Sequence, residues 1–210
     1  MVYDLYVVTD EGLSNGLTHQ EISRHAIQGG ADVIQLRDKL KSGRELFQIA
    51  REIHKITAAA GALCIVNDRL DIALAAGTDG VHLGQDDLPL PDARKIAPSP
   101  FIIGVSVGSV AEAVLAEKQG ADYVAVSPVF STGSKDDAGP GLGLDMVREI
   151  SSAVTIPVIG IGGISCGNVR DLISAGADGA AVISAVVSQP DITAASRNLR
   201  QIIQAEKTLP

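Results

Sequence analysis

The sequence predicts an α/β fold, a single (β/α)8 barrel, and three observations carry that prediction. Short apolar runs recur eight times along the 210 residues, each about as long as a buried strand. Stretches with apolar residues at helical spacing lie between the runs. A Gly-Ala-Asp phrase precedes three of the runs, at 30–32, 120–122 and 176–178, with Gly-Thr-Asp as a variant at 77–79. Such a repeated turn from helix into strand favours a closed, parallel sheet with covered faces.

The apolar runs and the helical spacing predict the elements in order. The predicted strands are residues 5–8, 33–36, 63–66, 80–83, 102–105, 123–126, 158–161 and 180–183. The predicted helices are residues 19–28, 43–60, 70–75, 110–119, 144–153, 167–175 and 192–205. No proline-rich or charged linker divides the chain, so we expect one domain, residues 1–210. A doubly wound open sheet is the structural alternative, but no Gly-x-Gly-x-x-Gly follows the first strand.

Composition restricts the partners. The net charge of -8 and the pI near 4.9 argue against nucleic acid and anionic membranes. No apolar stretch is long enough for a transmembrane helix, and the first residues do not have the pattern of a signal peptide. The two cysteines, Cys64 and Cys166, show no metal-binding spacing and require no disulfide. We therefore expect a cytoplasmic protein, and the exposed-looking apolar residues on the helices allow for a homo-oligomer.

The second strand ends in a row of polar side chains. Gln35, Arg37 and Lys39 alternate along the chain, so they share one face. Clustered cations on an acidic protein indicate a selected anionic ligand. The alternative is a solvated loop whose cations form surface ion pairs, for example with Asp38.

The next two strand ends carry acids. Active sites of barrels of this kind (TIM barrels) lie at the carboxyl ends of the strands, so residues that follow the runs are the candidates. Asn67 and Asp68 follow the third run, and Asp87 lies shortly after the fourth. Two carboxylates beside an anion suit a magnesium–diphosphate site. Asn67 and Asp68 are alternatively helix caps, and His82 is interpreted as a packed strand histidine rather than a ligand.

The remaining strand ends suggest a second anion site. Ser106 follows the fifth run, and residues 127–143 form a long segment with phosphate-binding residue types and glycines that permit lid movement. A simple flexible excursion is the alternative for that segment. Glycine turns after the seventh run and the residues after the eighth suit a phosphate monoester. Two anion sites predict an enzyme that joins two phosphorylated small molecules, or one whose substrate is phosphorylated at both ends.

The motifs at these strand ends resemble those of the thiamine phosphate synthase family over nearly the whole chain. They are residues 35–39 (Gln-Leu-Arg-Asp-Lys), 66–68 (Val-Asn-Asp), 82–87 (His-Leu-Gly-Gln-Asp-Asp), 104–106 (Gly-Val-Ser), 132–135 (Thr-Gly-Ser-Lys), 160–164 (Gly-Ile-Gly-Gly-Ile) and 183–184 (Ile-Ser). The resemblance implies a Mg²⁺-dependent transferase. A hydroxymethylpyrimidine diphosphate would lose pyrophosphate in a dissociative substitution, and a thiazole phosphate would attack to give thiamine phosphate.

The resemblance also implies a role for each site residue. The pyrimidine diphosphate would be bound by Gln35, Arg37, Lys39, Asn67, Ser106 and Lys135. Of these, Arg37, Lys39, Ser106 and Lys135 would be catalytic. Mg²⁺ would be held by Asp68 and Asp87. The thiazole phosphate would be bound by Thr132, Ser134, Gly163, Ile183 and Ser184. The chain departs from the family's usual pattern at Val107-Gly108, Ser127-Pro128 and Ser134.

Three other functions stay open at this point. The related thiazole tautomerase shares the barrel, but it has a His where this chain has Pro128 at the end of the sixth strand. A phosphosugar isomerase or epimerase would use Asp68 or Asp87 as proton acceptor without metal. A non-catalytic sensor of phosphorylated ligands is the third alternative.

Overall fold

Eight parallel strands close into a barrel in chain order, and the eighth pairs with the first. The computed structural model describes residues 3–132 and 141–209. The strands are β1 (Leu5–Thr9), β2 (Val33–Leu36), β3 (Leu63–Asn67), β4 (Gly80–Leu83), β5 (Ile102–Val107), β6 (Tyr123–Val126), β7 (Val158–Ile161) and β8 (Gly179–Val182). The predicted (β/α)8 TIM barrel is therefore confirmed, and the open-sheet alternative is wrong.

Helices surround the barrel. They are α1 (His19–Gln28), α2 (Gly43–Ala60), α3 (Leu70–Ala76), α4 (Leu90–Ile96), α5 (Val110–Lys118), α6 (Gly143–Ala153), α7 (Val169–Ser174), α8 (Ser184–Val187) and α9 (Ile192–Lys207). Capping boxes at Thr18–Glu21 and Ser42–Glu45 start α1 and α2 where the sequence predicts. The sequence pattern does not predict helix α4, because the prolines at 89 and 91 are more typical of a turn, although proline is also tolerated in the first turn of a helix. Over the ranges that the structure describes, no helix combines the length and apolar character needed to cross a membrane.

Three strands extend further than their apolar runs. Thr9, Asn67 and Ser106 each continue a ladder, pairing with Leu36, His82 and Ala125. Ladder hydrogen bonds come from the backbone, so a polar side chain does not end a strand. Ser106 consequently lies within β5 rather than after it, whereas Ile183 directly follows β8, which begins one residue earlier than predicted.

The repeated Gly-x-Asp phrase has a structural explanation. An aspartate stands directly before each even-numbered strand, and its Oδ2 accepts a backbone N–H from the preceding odd-numbered strand. These bonds run from Leu5 to Asp32 (3.1 Å), Cys64 to Asp79 (2.7 Å), Ile103 to Asp122 (2.7 Å) and Val158 to Asp178 (2.8 Å). The aspartates thus tie the strands in four pairs at the rim opposite their carboxyl ends.

Candidate active site

A cavity of about 530 Å³ opens at the carboxyl ends of the strands. The predicted site residues that line it are Arg37, Lys39, Asn67, Asp68, Asp87, Ser106, Thr132, Gly163, Ile183 and Ser184. The structure therefore brings both predicted anion sites into one cavity. Gln35 lies deeper, in the barrel interior, and it is buried. Residues 133–140 of the predicted lid segment, including Ser134 and Lys135, lie outside the described residues.

The cationic wall comes from the loop after β2. The guanidinium of Arg37 lies 3.5 Å from Asp10 Oδ2, and only 13% of its side chain is exposed. Asp38 lies between Arg37 and Lys39 in sequence. It is not among the described residues that line the cavity. Its carboxylate instead meets Nε2 of His19 at 3.1 Å and Lys41 Nζ at 3.4 Å. The negative charge of Asp38 is therefore balanced outside the cavity wall formed by Arg37 and Lys39.

Asp68 and Asp87 form a carboxylate pair in the cavity. Burial, then hydrogen bonding and repulsion from Asp87, raise the pKa of Asp68 to about 6, although Lys39 and Arg37 act in the opposite direction. Asp68 also has a left-handed backbone, with φ at 61°. The N-cap residue of α3 is Arg69, and no side chain makes a capping hydrogen bond there. The alternative of Asn67 and Asp68 as helix caps is therefore wrong. Two partly buried carboxylates that repel each other are a donor set that fits a divalent cation.

A second acidic group lies nearby but already has its own cation. Ligand atoms of Glu11, His19 and Asp38 lie within 4.8 Å of one another. Lys41 Nζ is 2.6 Å from Glu11 Oε2 and 3.4 Å from Asp38 Oδ2. Lys41 already supplies the positive charge that a metal would bring to this group. We therefore interpret Glu11, His19 and Asp38 as a structural cluster, and the Asp68–Asp87 pair as the better candidate for a metal site.

His82 connects Ser106 to the barrel interior. Its Nε2 lies 2.9 Å from Ser106 Oγ, and its Nδ1 lies 2.9 Å from the hydroxyl of Tyr123, on which the ring stacks. The histidine is buried, so its interpretation as a packed strand residue is confirmed, although its edge also reaches the cavity. The side chain of Gln85 donates to the backbone oxygen of Ser106 at 2.6 Å. Ser106 is thereby fixed through both its side chain and its main chain.

Glycines build the opposite wall after β7. Gly162 and Gly163 have φ of 102° and 63°, which other residues rarely adopt. A Cβ on Gly163 would lie 2.7 Å from the backbone oxygen of Ser131, and one on Gly162 would lie 2.6 Å from Pro128 Cβ. The loops after β6 and β7 thus pack backbone against backbone, which leaves main-chain groups rather than side chains to form this wall.

Sequence reasoning missed Tyr6 and Tyr123, which lie directly below the cavity. The sequence pattern predicts only that both are ordinary members of apolar strands. For Tyr123, the feature that could have indicated its role is the glycine beside it on the neighbouring strand. Gly104 pairs with Tyr123 across the β5–β6 ladder, and a Cβ on Gly104 would lie 2.0 Å from the tyrosine ring. A glycine opposite a bulky aromatic residue in a barrel strand indicates a ring turned inward over it.

Comparison with known proteins agrees with this geometry. A family profile described as thiamine monophosphate synthase matches residues 5–186. The chain belongs to the thiamine monophosphate synthase family. The thiamine-phosphate synthase of Methanoculleus marisnigri is 62% identical over 207 residues, which cover 99% of this chain and 98% of the relative. That of Methanocella arvoryzae is 60% identical over 203 residues, covering 97% and 96%.

A solved structure extends the comparison to three dimensions. Thiamine phosphate pyrophosphorylase from Pyrococcus furiosus superposes with a TM-score of 0.91 at 43% identity, covering 97% of this chain and 96% of that one. The predicted family is confirmed, and so is the prediction that the chain is an enzyme of the transferase class. None of these relatives supports the tautomerase alternative.

Proposed function

We propose that this enzyme joins hydroxymethylpyrimidine diphosphate to thiazole phosphate, giving thiamine phosphate and pyrophosphate. The observation that carries the proposal is the asymmetry of the cavity at the carboxyl ends of the strands. One wall presents Arg37, Lys39 and the Asp68–Asp87 pair, and the other is built from the backbone around Gly163 and Ile183. A diphosphate and a phosphate monoester, held at opposite walls, would place their reacting parts between them.

The chemistry at the cationic wall is the departure of pyrophosphate. The bond between the pyrimidine's methylene carbon and the diphosphate oxygen breaks, and its electron pair leaves with pyrophosphate. Arg37 and Lys39 would stabilise the negative charge that grows on the leaving group, in a site already partly closed to water. The aminopyrimidine delocalises the positive charge left on the methylene, which makes the dissociative path favourable.

Bond formation needs no base. The thiazole nitrogen uses its lone pair to form the new carbon–nitrogen bond, and it carries no proton to remove. The residue with the geometry of a base, His82, is instead hydrogen-bonded on both ring nitrogens. We propose that Ser106 and Asn67 orient the pyrimidine from the cavity wall, and that the buried Gln35 contributes from beneath it.

Asp68 and Asp87 would hold Mg²⁺. Bound there, the cation would supply charge neutralisation to the diphosphate, as carboxylate-bound magnesium does beside substrate phosphates. Burial, followed by the interaction with Asp87, raises the pKa of Asp68, and this supports the assignment because a bound cation would offset both effects. Lys135, outside the described residues, is proposed to add a further positive charge.

The thiazole phosphate would occupy the backbone-built wall. Gly163, Ile183 and Ser184 line the cavity there, and Thr132 contributes from the loop after β6. The proposal keeps Ser134 as a further contact, although it lies outside the described residues. Substrates of this kind are small and phosphorylated, and the two free cysteines suit the proposed cytoplasmic location. Assembly into a homo-oligomer stays a proposal.

The test is a pyrophosphate-release assay on the purified chain. It contains the pyrimidine diphosphate, the thiazole phosphate and Mg²⁺, and each component is omitted in turn. We expect release only when all three are present, with equal amounts of thiamine phosphate and pyrophosphate. Release that is indifferent to the thiazole phosphate, or none with all three present, would refute the proposed reaction.

A further inference from the structure

A hydrogen-bonded string crosses the barrel interior beneath the cavity. Four contacts link five side chains: Gln35 Nε2 to Tyr6 Oη (2.7 Å), Tyr6 Oη to Tyr123 Oη (2.9 Å), Tyr123 Oη to His82 Nδ1 (2.9 Å), and His82 Nε2 to Ser106 Oγ (2.9 Å). We call these five residues the interior string. They come from five strands, β1, β2, β4, β5 and β6.

The protons of the string follow from its chemistry. Burial raises the pKa of both tyrosines far above neutral, so each phenol keeps one proton and has one hydrogen to donate. The amide nitrogen of Gln35 only donates. Because Gln35 donates to Tyr6 Oη, the arrangement that uses the hydrogen of both phenols within the string has Tyr6 donating to Tyr123 and Tyr123 donating to Nδ1 of His82.

His82 extends the direction of hydrogen-bond donation, which we call the polarity of the string, to the cavity. In that arrangement Nδ1 of His82 is an acceptor, which requires a neutral ring with its proton on Nε2. That N–H donates to Ser106 Oγ, which is thereby used as an acceptor. The hydroxyl hydrogen of Ser106 is then directed away from His82, at the cavity wall.

We infer that the interior string fixes Ser106 as a hydrogen-bond donor toward the substrate, with Tyr6, Tyr123 and His82 as positioning residues. This inference rests on the proposed function. The pyrimidine diphosphate offers acceptors, in its ring nitrogens and its diphosphate oxygens, and a serine fixed as donor selects for them. With the opposite polarity, Ser106 would donate to His82 and only accept from the substrate.

The polarity is measurable without substrate. The protein is labelled with ¹⁵N on its histidine rings, and the His82 signals are assigned by their loss in His82→Asn. Two-dimensional ¹⁵N–¹H spectra at pH 7.5 report which ring nitrogen carries a proton. We expect His82 to be protonated on Nε2 alone. A proton on Nδ1, with or without one on Nε2, would overturn the inference, whatever the activity of the protein.

A double-mutant cycle tests the positioning role in catalysis. Tyr123→Phe removes the hydroxyl that donates to His82, and we expect kcat/KM to fall about fivefold, as for the loss of one hydrogen bond. Combined with Ser106→Ala, the same change should cause no further loss, because the string then has nothing to position. Equal effects of Tyr123→Phe in both backgrounds would contradict the inference.

Tyr3→Phe is the matched control. Tyr3 packs on Tyr123 with ring centroids 5.2 Å apart, but it is not a member of the string. Its loss of a hydroxyl should leave the His82 tautomer and kcat/KM unchanged. If Tyr123→Phe does not fold, Tyr6→Phe replaces it in the cycle with the same expected non-additivity. The spectra of the unmutated chain decide the polarity independently.

Discussion

Asp38 Oδ2 accepts a hydrogen bond from Nε2 of His19 at 3.1 Å. The histidine is fully buried, and its other ring nitrogen lies 2.7 Å from Thr9 Oγ1 at the end of β1. Thr9 in turn donates to the backbone oxygen of Gln35 at 3.2 Å. The loop that carries Arg37 and Lys39 is thus anchored to β1 and α1 through its one acidic residue.

Replacing Asp38 by Asn should reduce stability in a pH-dependent way. Burial favours the neutral acid, but hydrogen bonds from His19, Leu40 and Lys41 outweigh it and lower the pKa of Asp38 to about 2. A lowered pKa stabilises the fold above the unfolded value of 3.8, and this contribution disappears as the pH falls through 2. We expect Asp38→Asn to lose about 1–2 kcal/mol at pH 7 in urea unfolding and clearly less at pH 3.

Asp145→Asn serves as the control for that experiment. Asp145 pairs with Arg148 on the surface, and its side chain is 92% exposed. Exposed pairs contribute little, so its free energy of unfolding should stay close to that of the unmutated chain at both pH values. Equal losses in both variants would show that Asp38 is only another surface charge.

Arg37→Ala should slow pyrophosphate release while the fold survives. The guanidinium lies at the cavity wall, where it would stabilise the charge of the leaving group. By analogy with the loss of one transition-state donor, we expect kcat to fall by about 10²–10³. Single-turnover kinetics measure the effect, and circular dichroism checks the fold.

Arg148→Ala is the matched change on the outside of the barrel. Arg148 lies on α6, more than half exposed, and its loss should leave turnover unaltered. Near-normal turnover of Arg37→Ala would show that the diphosphate site is wrongly assigned. The corresponding prediction for Lys135→Ala concerns a residue outside the described ranges, and it rests on the family resemblance alone.

Asp68→Asn should remove the response to Mg²⁺ and yet stabilise the metal-free protein. The pKa of Asp68 is raised to about 6, so ionising it in the fold costs free energy above pH 6, and that cost vanishes below the unfolded value of 3.8. We expect the variant to gain about 1 kcal/mol without metal at pH 8 and close to nothing at pH 3. Asn also tolerates the left-handed backbone at this position.

Asp71→Asn distinguishes this effect from a general loss of negative charge. The hydrogen bond from Arg69 lowers the pKa of Asp71, which is the opposite direction, so this variant should gain no stability at pH 8. Urea unfolding with and without Mg²⁺ measures both variants. An Asp68→Asn protein that stays active and still responds to Mg²⁺ would contradict the metal assignment.

Gly104→Ala should damage both stability and activity. A Cβ at this position would lie 2.0 Å from the ring of Tyr123, which is buried and can move aside only by disturbing its packed neighbours. We expect a loss of about 1–3 kcal/mol in unfolding free energy and a displaced Tyr123. Gly108→Ala, whose Cβ would have 3.7 Å to its nearest neighbour, should be tolerated. Equal stability of the two variants would show that the ring has room to move.

The barrel itself was predictable because its strands are nearly continuous apolar runs. Four strands, β2, β4, β6 and β7, have the predicted limits. The errors occur where local rules compete: polar Thr9 and Asn67 stay in their ladders, and prolines conceal the start of α4. Strand ends in a sequence mark where apolar side chains stop, whereas a ladder stops where backbone pairing stops.

The site was predictable to the extent that strand ends converge on one rim. Ten of the proposed residues line the cavity because of the barrel's topology alone. Contacts between distant side chains were not predictable in this way. The tyrosine pair and the His19–Asp38 contact depend on which side chains face inward at a given layer, and no local pattern states that.

A crystal structure with thiamine phosphate, pyrophosphate and Mg²⁺ bound tests the central claim most directly. The account predicts pyrophosphate against Arg37 and Lys39, and the monoester phosphate against the backbone of Gly163 and Ile183. Pyrophosphate at the glycine wall, or either ligand outside the cavity, would contradict it.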